Sequence, residues 1–217
     1  LWSWGALAGD EGLLSGRVAS ISPDSTPKRI VQLASVTGFA LSPTVQPEEG
    51  EDPKDPVFGP GIPGGGEPPP PRAHACAIAG GEVYCWGRSD TGALCTGLPD
   101  REVRPAHAPV RAKHWPQQVA VSDEISCVRM TDGAVMCCGS DLKGRLGTGT
   151  VGVFSTFFTP AKAFTGHAVQ VATSLRAVCA LVKDGTVACW GGNPRGELGL
   201  TAGPDDLPHP TPTTVAF

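Results

Sequence analysis

Short apolar runs, broken by glycine, proline and charged turns, recur along the whole chain. The stretch "AVCALVKDGTVACWG" (177–191) shows the unit clearly: an apolar run, a turn at Lys183-Asp184-Gly185, then a second run that closes on Trp-Gly. Runs this short, bounded by turn residues, predict β-strands rather than helices. Asp-Gly supplies the positive-φ positions that a tight hairpin turn needs. Helix signals are scarce, and 29 glycines and 22 prolines punctuate the chain. The pattern predicts an all-β fold.

The unit repeats. "EVYCWGRSDTGALCTG" covers 82–97, "AVMCCGSDLKGRLGTG" covers 134–149 and "TVACWGGNPRGELGL" covers 186–200. Gly87, Gly139 and Gly191 are 52 residues apart, and the same spacing holds for Gly92, Gly144 and Gly196 and for Leu94, Leu146 and Leu198. Pro109, Pro160 and Pro212 follow the anchor glycines by 21 or 22 residues. A fixed period in this range marks a propeller or solenoid. Trp4-Gly5 matches Trp86-Gly87, so residues 1–38 read as a partial first repeat and 73–217 as the repeat body. Between them, 39–72 holds 10 prolines and 6 glycines in 34 residues, with six acids against two bases. That composition reads as a disordered insertion: a solvated loop on the rim, or else a proline-rich docking peptide.

Register gives the cysteines a meaning. Counting outward from the three-residue loops places Cys179 opposite Cys189 and Cys127 opposite Cys137. The loop at Gly80-Gly81 is one residue shorter, and the spacing of Cys76 and Cys85 shrinks by one to match. Each pair stays face to face, close enough for a disulfide. Buried free thiols and a metal site are the alternatives, but no closely spaced ligand pair is present. Cys95 and Cys138 are left over, as a pair that can join neighbouring blades. Eight cysteines paired in this way point to an oxidising compartment, hence an extracellular, periplasmic or cell-surface protein.

Trp4, Trp86 and Trp190 share one repeat position, which suits packing of each blade against the next better than a ligand platform. Trp115, in "KHWPQQ", falls outside the pattern and is the candidate for partner binding. Charge is mild, 17 Lys+Arg against 21 Asp+Glu, with no basic block, which argues against nucleic acid. No apolar run reaches the ~18 residues of a membrane span. The five histidines follow no ligand spacing, and no catalytic constellation or phosphate loop is legible, so no catalytic residue, cofactor or metal is expected. The chain opens inside a patterned segment without an initiator Met, which suggests a trimmed piece of a longer protein.

These units resemble the regulator of chromosome condensation repeat. "HACAIAGGEVYCWGRSDTGALCTG" and "VCALVKDGTVACWGGNPRGELG" follow its pattern: H-x-C-A-[IL], a glycine turn, V-x-x-W-G, then N-x-x-G-x-L-G. The middle unit departs with Cys138 for Trp and "SCVRM" for the first motif, and the first unit carries "GDEGLLSG" with its glycine shifted. The paired cysteines resemble the exported bacterial branch of these repeats. The resemblance implies a β-propeller of four-stranded blades. Set against a period of 52, the chain outside the insertion amounts to about 3.5 blades, a partial propeller with an open blade face suited to self-association. The implied function is a non-enzymatic scaffold that binds a protein partner through rim loops. Guanine nucleotide exchange on a small GTPase and a rim-loop hydrolase or lyase are the alternatives. The disulfide pattern and the acidic balance speak against the first, and the lack of an activated nucleophile against the second.

Overall fold

The computed structural model describes residues 1–5, 24–30, 32–42, 73–98 and 101–215. Strands β1 (Trp2–Gly5) and β2 (Asp24–Arg29) form an antiparallel pair. Strands β3 (Val36–Leu41), β4 (His74–Ala79), β5 (Glu82–Arg88) and β6 (Arg101–Ala108) make a first four-stranded sheet, blade I. Blade II is β7 (Pro116–Ser122), β8 (Ile125–Met130), β9 (Val135–Ser140) and β10 (Phe154–Pro160). Blade III is β11 (Ala168–Thr173), β12 (Ala177–Val182), β13 (Val187–Asn193) and β14 (Asp205–Thr214). Every neighbouring pair is antiparallel and sequential, so each blade is a four-stranded meander. No helix occurs among the described residues. The first strands β3, β7 and β11 stand side by side, as they do around a propeller axis. The molecule is an all-β partial propeller.

Blade II buries both faces, and period-2 alternation divides each of its inner strands between two interfaces. In β8 and β9, Ile125, Cys127, Val135 and Cys137 face blade III. Their alternates Val128, Met130, Met136 and Cys138 face blade I. A strand buried on both faces reads as continuously apolar, which is why "VMCCG" of β9 shows no polar side. The anchor glycines have a steric cause. Gly87 has φ +110°, and a Cβ there would lie 2.5 Å from the Ala73 carbonyl oxygen. Gly139 and Gly191 meet the Glu124 and Arg176 carbonyls in the same way. The next amides then bond those carbonyls: Ser140 N–H to Glu124 O at 2.9 Å and Gly192 N–H to Arg176 O at 2.7 Å. A side chain at the anchor would break that approach.

Composition alone misplaces one boundary. Phe39, Ala40 and Leu41 belong to β3 and pair with Ala77, Cys76 and Ala75 of β4. The strand therefore runs across the 38/39 division and three residues into the stretch assigned to the insertion. Ser42 is still fixed, its amide donating to His74 O at 2.9 Å. Residues 43–72 lie outside the described residues, as do 9–16, the "GDEGLLSG" of the first unit. The insertion thus replaces the connection between a blade's first and second strands, which in blade II is only Asp123-Glu124.

Candidate protein-interaction surfaces

One contact recurs between blades. Trp190 of β13 is fully buried, and its indole N–H donates to Arg145 O at 2.8 Å. Its ring stacks on Phe164 with centroids 5.7 Å apart. Arg145 and Phe164 follow β9 and β10, so the ring packs against the preceding blade rather than the next one. Alternation alone says which residues share a face, not which neighbour that face meets. Trp86 is buried likewise, with Ile30 and Leu33 from the segment before blade I. Trp4 and Gly5 lie in β1, and the Trp4 side chain is outside the described residues.

The turn that receives the ring is Gly144-Arg145-Leu146-Gly147. A Cβ on Gly147 would sit 2.8 Å from Trp190 Nε1, so the indole requires glycine there. In blade I the same turn ends in Cys95, and in blade II the Trp position holds Cys138; these two are joined in a disulfide with Cα atoms 5.7 Å apart. Cys95 keeps the glycine conformation, φ +58° against +66° at Gly147. One interface is closed by tryptophan over glycine, the other by cysteine on cysteine. Leu94, Leu146 and Leu198 are buried beneath these turns, which Gly92, Gly144 and Gly196 open. The turns are capped by Ser89, Asp141 and Asn193, which share a repeat position. They accept from the amides of Ala93 (2.8 Å), Leu146 (2.9 Å) and Leu198 (3.0 Å). Burial raises the Asp141 carboxyl above its ordinary range, against the Leu146 and Gly152 amides and Arg145, which lower it.

The other six cysteines form disulfides within hairpins: Cys76–Cys85, Cys127–Cys137 and Cys179–Cys189, each with Cα atoms 4.1 Å apart. They lie on the face turned to the following blade. Cys76, Cys85, Cys127 and Cys137 are wholly buried there, whereas Cys179 is partly exposed on blade III.

A polar contact hidden in the sequence also crosses an interface. His74 and Ser126 occupy the same repeat position, and Val178 takes it in blade III. His74 Nε2 lies 2.7 Å from Ser126 Oγ, and Ser126 donates its only proton to Ala93 O at 2.7 Å. His74 Nε2 must therefore carry the proton it gives to Ser126. Nδ1 faces no partner, and burial lowers the imidazole pKa to about 4. The "SCVRM" departure is thus the acceptor for the preceding unit's histidine. Arg145, held by Glu124 Oε2 of its own blade at 2.8 Å, also reaches across to donate to Leu175 O of blade III.

The connections sort onto two ends of the blades. At one end, Trp115 (β6–β7) hydrogen-bonds through its backbone with Thr131 of the β8–β9 turn, and its ring leans over Gly81. It is 64 % exposed, with His114 3.5 Å from Asp132 beside it. The opposite end carries Glu124, the β9–β10 loop and the root of the insertion at Ser42 and Ala73. There Leu142, Val151, Val153 and Phe154 are all exposed, Val153 at 67 %. The Asp141 amide bonds Val153 O at 2.8 Å, and Phe154 pairs with Ser140, so these side chains share one ordered loop. Sequence reasoning passed over this cluster. Its signal was "TVGVFSTFF" (150–158), an apolar run that begins in the β9–β10 loop and continues into β10. Single exposed apolar residues are ordinary, but several gathered on one fixed loop mark a contact surface.

Comparison with known proteins agrees with this architecture. Residues 168–197 match the Regulator of chromosome condensation (RCC1) repeat. The Ultraviolet-B receptor UVR8 of Arabidopsis thaliana is 32 % identical over 142 residues, covering 62 % of this chain and 31 % of the receptor. The chain thus spans about a third of the length of that curated relative. Yeast RCC1 (Prp20), solved bound to Kap60, superposes with TM-score 0.69 at 15 % identity, over 100 % of this chain and 44 % of that one. A second structure, Prp20p of Saccharomyces cerevisiae, described with its binding properties to Gsp1p and histones, gives TM-score 0.59 at 15 % identity, covering 66 % and 36 %. Residues 168–197 thus match that repeat, and the units 52 and 104 residues before it are similar to it at the same anchor positions.

Proposed function

We propose that the protein is a non-enzymatic scaffold that holds a protein partner on loops projecting from a rigid partial propeller. The observation that carries this reading is the exposed apolar cluster Leu142, Val151, Val153 and Phe154 on a loop fixed by backbone hydrogen bonds. A fixed surface binds without a large ordering cost. Trp115, at the opposite end, offers a second anchor of the kind that dominates interfaces. Relatives by fold support the class: Prp20 was solved bound to Kap60 and described with Gsp1p and histones. That likeness, at 15 % identity, does not carry nucleotide exchange to this chain.

Four disulfides suit an exported or cell-surface protein of the bacterial type. The outer face of blade III adds a surface for self-association. The test is affinity capture from the envelope fraction of the native organism, with the wild type, a Leu142→Asp/Val153→Asp variant and Trp115→Ala side by side. A protein retained by the wild type and lost from the loop variant, whose melting is unchanged, is the expected result. An identical captured set from all three would overturn the reading.

A further inference from the structure

The two interfaces between blades I, II and III are closed at one repeat position by different chemistry. Between blades II and III the turn Gly144-Arg145-Leu146-Gly147 is held by the Trp190 indole, which donates to Arg145 O at 2.8 Å. Between blades I and II the matching turn, Gly92-Ala93-Leu94-Cys95, is held by the Cys95–Cys138 disulfide. Both halves of the contact are exchanged together, glycine for Cys95 and tryptophan for Cys138. An indole holds its turn in any redox state, whereas two cysteines hold theirs only when joined. Cys95 also sits at φ +58°, a left-handed conformation that a side chain disfavours, so residue 95 is biased to leave it once the bond is cut.

That turn also grips the fourth strand of blade II. Gly97 donates its amide to Thr156 O of β10 at 2.9 Å. The Phe157 ring lies against Gly97, where a Cβ would be 2.6 Å from its Cζ, and Arg111 stands over that ring, 5.4 Å from its centre. Gly92 is as close, since a Cβ there would meet Thr156 Cα at 3.0 Å. Strand β10 begins at Phe154 and continues from the loop that carries Leu142, Val151 and Val153. The Cys95 turn is therefore a buttress for the strand that anchors the exposed apolar loop.

We propose that Cys95–Cys138 is a redox latch that sets the order of this loop. The proposal rests on the reading of the loop as the partner surface and adds what controls it. An external dithiol supplies two electrons and two protons: its own sulfurs join, the Cys95–Cys138 bond breaks, and both cysteines become thiols. The turn then loosens from β10, and Phe154 and its neighbours lose their fixed positions. The hairpin disulfides respond differently. Their cysteines face each other in register across paired strands, so a reduced pair stays opposed and closes again. Cys95 and Cys138 are 43 residues apart and meet only while blades I and II are docked.

The test is titration of the whole chain with dithiothreitol. Thiols are trapped by alkylation in one aliquot and located by peptide mapping, while amide exchange is followed by NMR in another. The expected result is reduction of Cys95–Cys138 ahead of the hairpin pairs. Exchange at the Gly97 amide, and at the Asp141 amide that donates to Val153 O, should then run at least tenfold faster and recover on reoxidation. The Gly149 amide, which donates to Pro210 O at the equivalent place one repeat later, should keep its rate. Cys95→Gly/Cys138→Trp, which rebuilds the contact of blades II and III, should exchange slowly with and without dithiol. Leu142→Asp/Val153→Asp, which removes partner capture, should leave the Gly97 response intact, so the latch and the partner reading stand or fall separately. Reduction of a hairpin disulfide before Cys95–Cys138 would overturn the proposal. So would an unchanged Gly97 rate once Cys95 and Cys138 are thiols, or acceleration of every amide together, which would make the bond a staple of the whole fold.

Discussion

Removing the Trp190 indole should loosen blade III from blade II, and the cost should depend on what stands at residue 147. Trp190 is wholly buried, so Trp190→Ala should cost about 3–5 kcal/mol in lost transfer energy and residual cavity. Within that sum, the bond to Arg145 O is worth about 1 kcal/mol. The stack on Phe164 adds roughly 0.5–1.5 kcal/mol. Gly147→Ala alone places a methyl 2.8 Å from Trp190 Nε1 and 3.1 Å from Ala161 Cβ. Overpacking of that kind costs about 1–3 kcal/mol. A further ~1–2 kcal/mol comes from holding an L-residue in the left-handed region. Once the indole is gone the methyl enters its cavity, and only the backbone cost remains. The double variant should therefore be less destabilised than the sum of the singles by about 1–3 kcal/mol. The assay is urea unfolding under non-reducing conditions, followed by circular dichroism so that the lost fluorophore does not bias the signal. With m near 2–3 kcal/mol/M, Trp190→Ala should lower the midpoint by about 1–2 M. Trp115→Ala, at an exposed site, should change stability by no more than about 0.5 kcal/mol. Strictly additive costs for residues 147 and 190, or equal midpoints for Trp190→Ala and Trp115→Ala, would refute the packing argument.

Stability should also fall as pH drops from 6.5 toward 4. His74 stays neutral in the fold down to about pH 4, whereas the unfolded chain takes up that proton near its ordinary value of 6.5. The loss should approach about 3 kcal/mol and level off below pH 4; His74→Val, which copies Val178, should remove that part of the slope in chemical melts across this range. Ser126→Ala strands the His74 Nε2 proton and the Ala93 carbonyl, and should cost about 1–3 kcal/mol in the same melts at pH 7. Replacing 43–72 by a short turn like Asp123-Glu124 should preserve cooperative unfolding and solubility, because β3 still pairs with β4; an insoluble product would give the segment a structural role. Arg145→Met, which removes the bonds to Glu124 and Leu175 O, should lower stability by about 1–3 kcal/mol in the same melts.

The parts of this fold legible in the sequence are those fixed by counting. The 52-residue spacing of Gly87, Gly139 and Gly191 reflects one steric event, a strand passing against a carbonyl, which only glycine permits. The facing of Cys76 and Cys85 follows from a turn one residue shorter than its counterparts. What required coordinates was direction and depth. Alternation placed Trp190 on one face of its sheet but not against the preceding blade. Composition drew Phe39–Leu41 into the Pro/Gly-rich stretch, although their side chains alternate as a strand's do. His74 and Ser126 looked like a motif and a lapse from it, and become a pair only when adjacent blades are superposed. Leu142, Val151 and Val153 have no period to betray them, because these side chains are arranged for exposure while Leu146 of the same loop enters the core.

The blades are joined at one repeat position, by tryptophan over glycine or by cysteine on cysteine. Non-reducing peptide mapping of the intact chain tests this most directly. It should recover Cys76–Cys85, Cys127–Cys137 and Cys179–Cys189 as bridges within hairpins, and Cys95–Cys138 as the bridge that crosses from blade I to blade II. Free thiols at Cys95 and Cys138, or either one paired with a hairpin cysteine, would contradict the alignment of the repeats and the interface built on it.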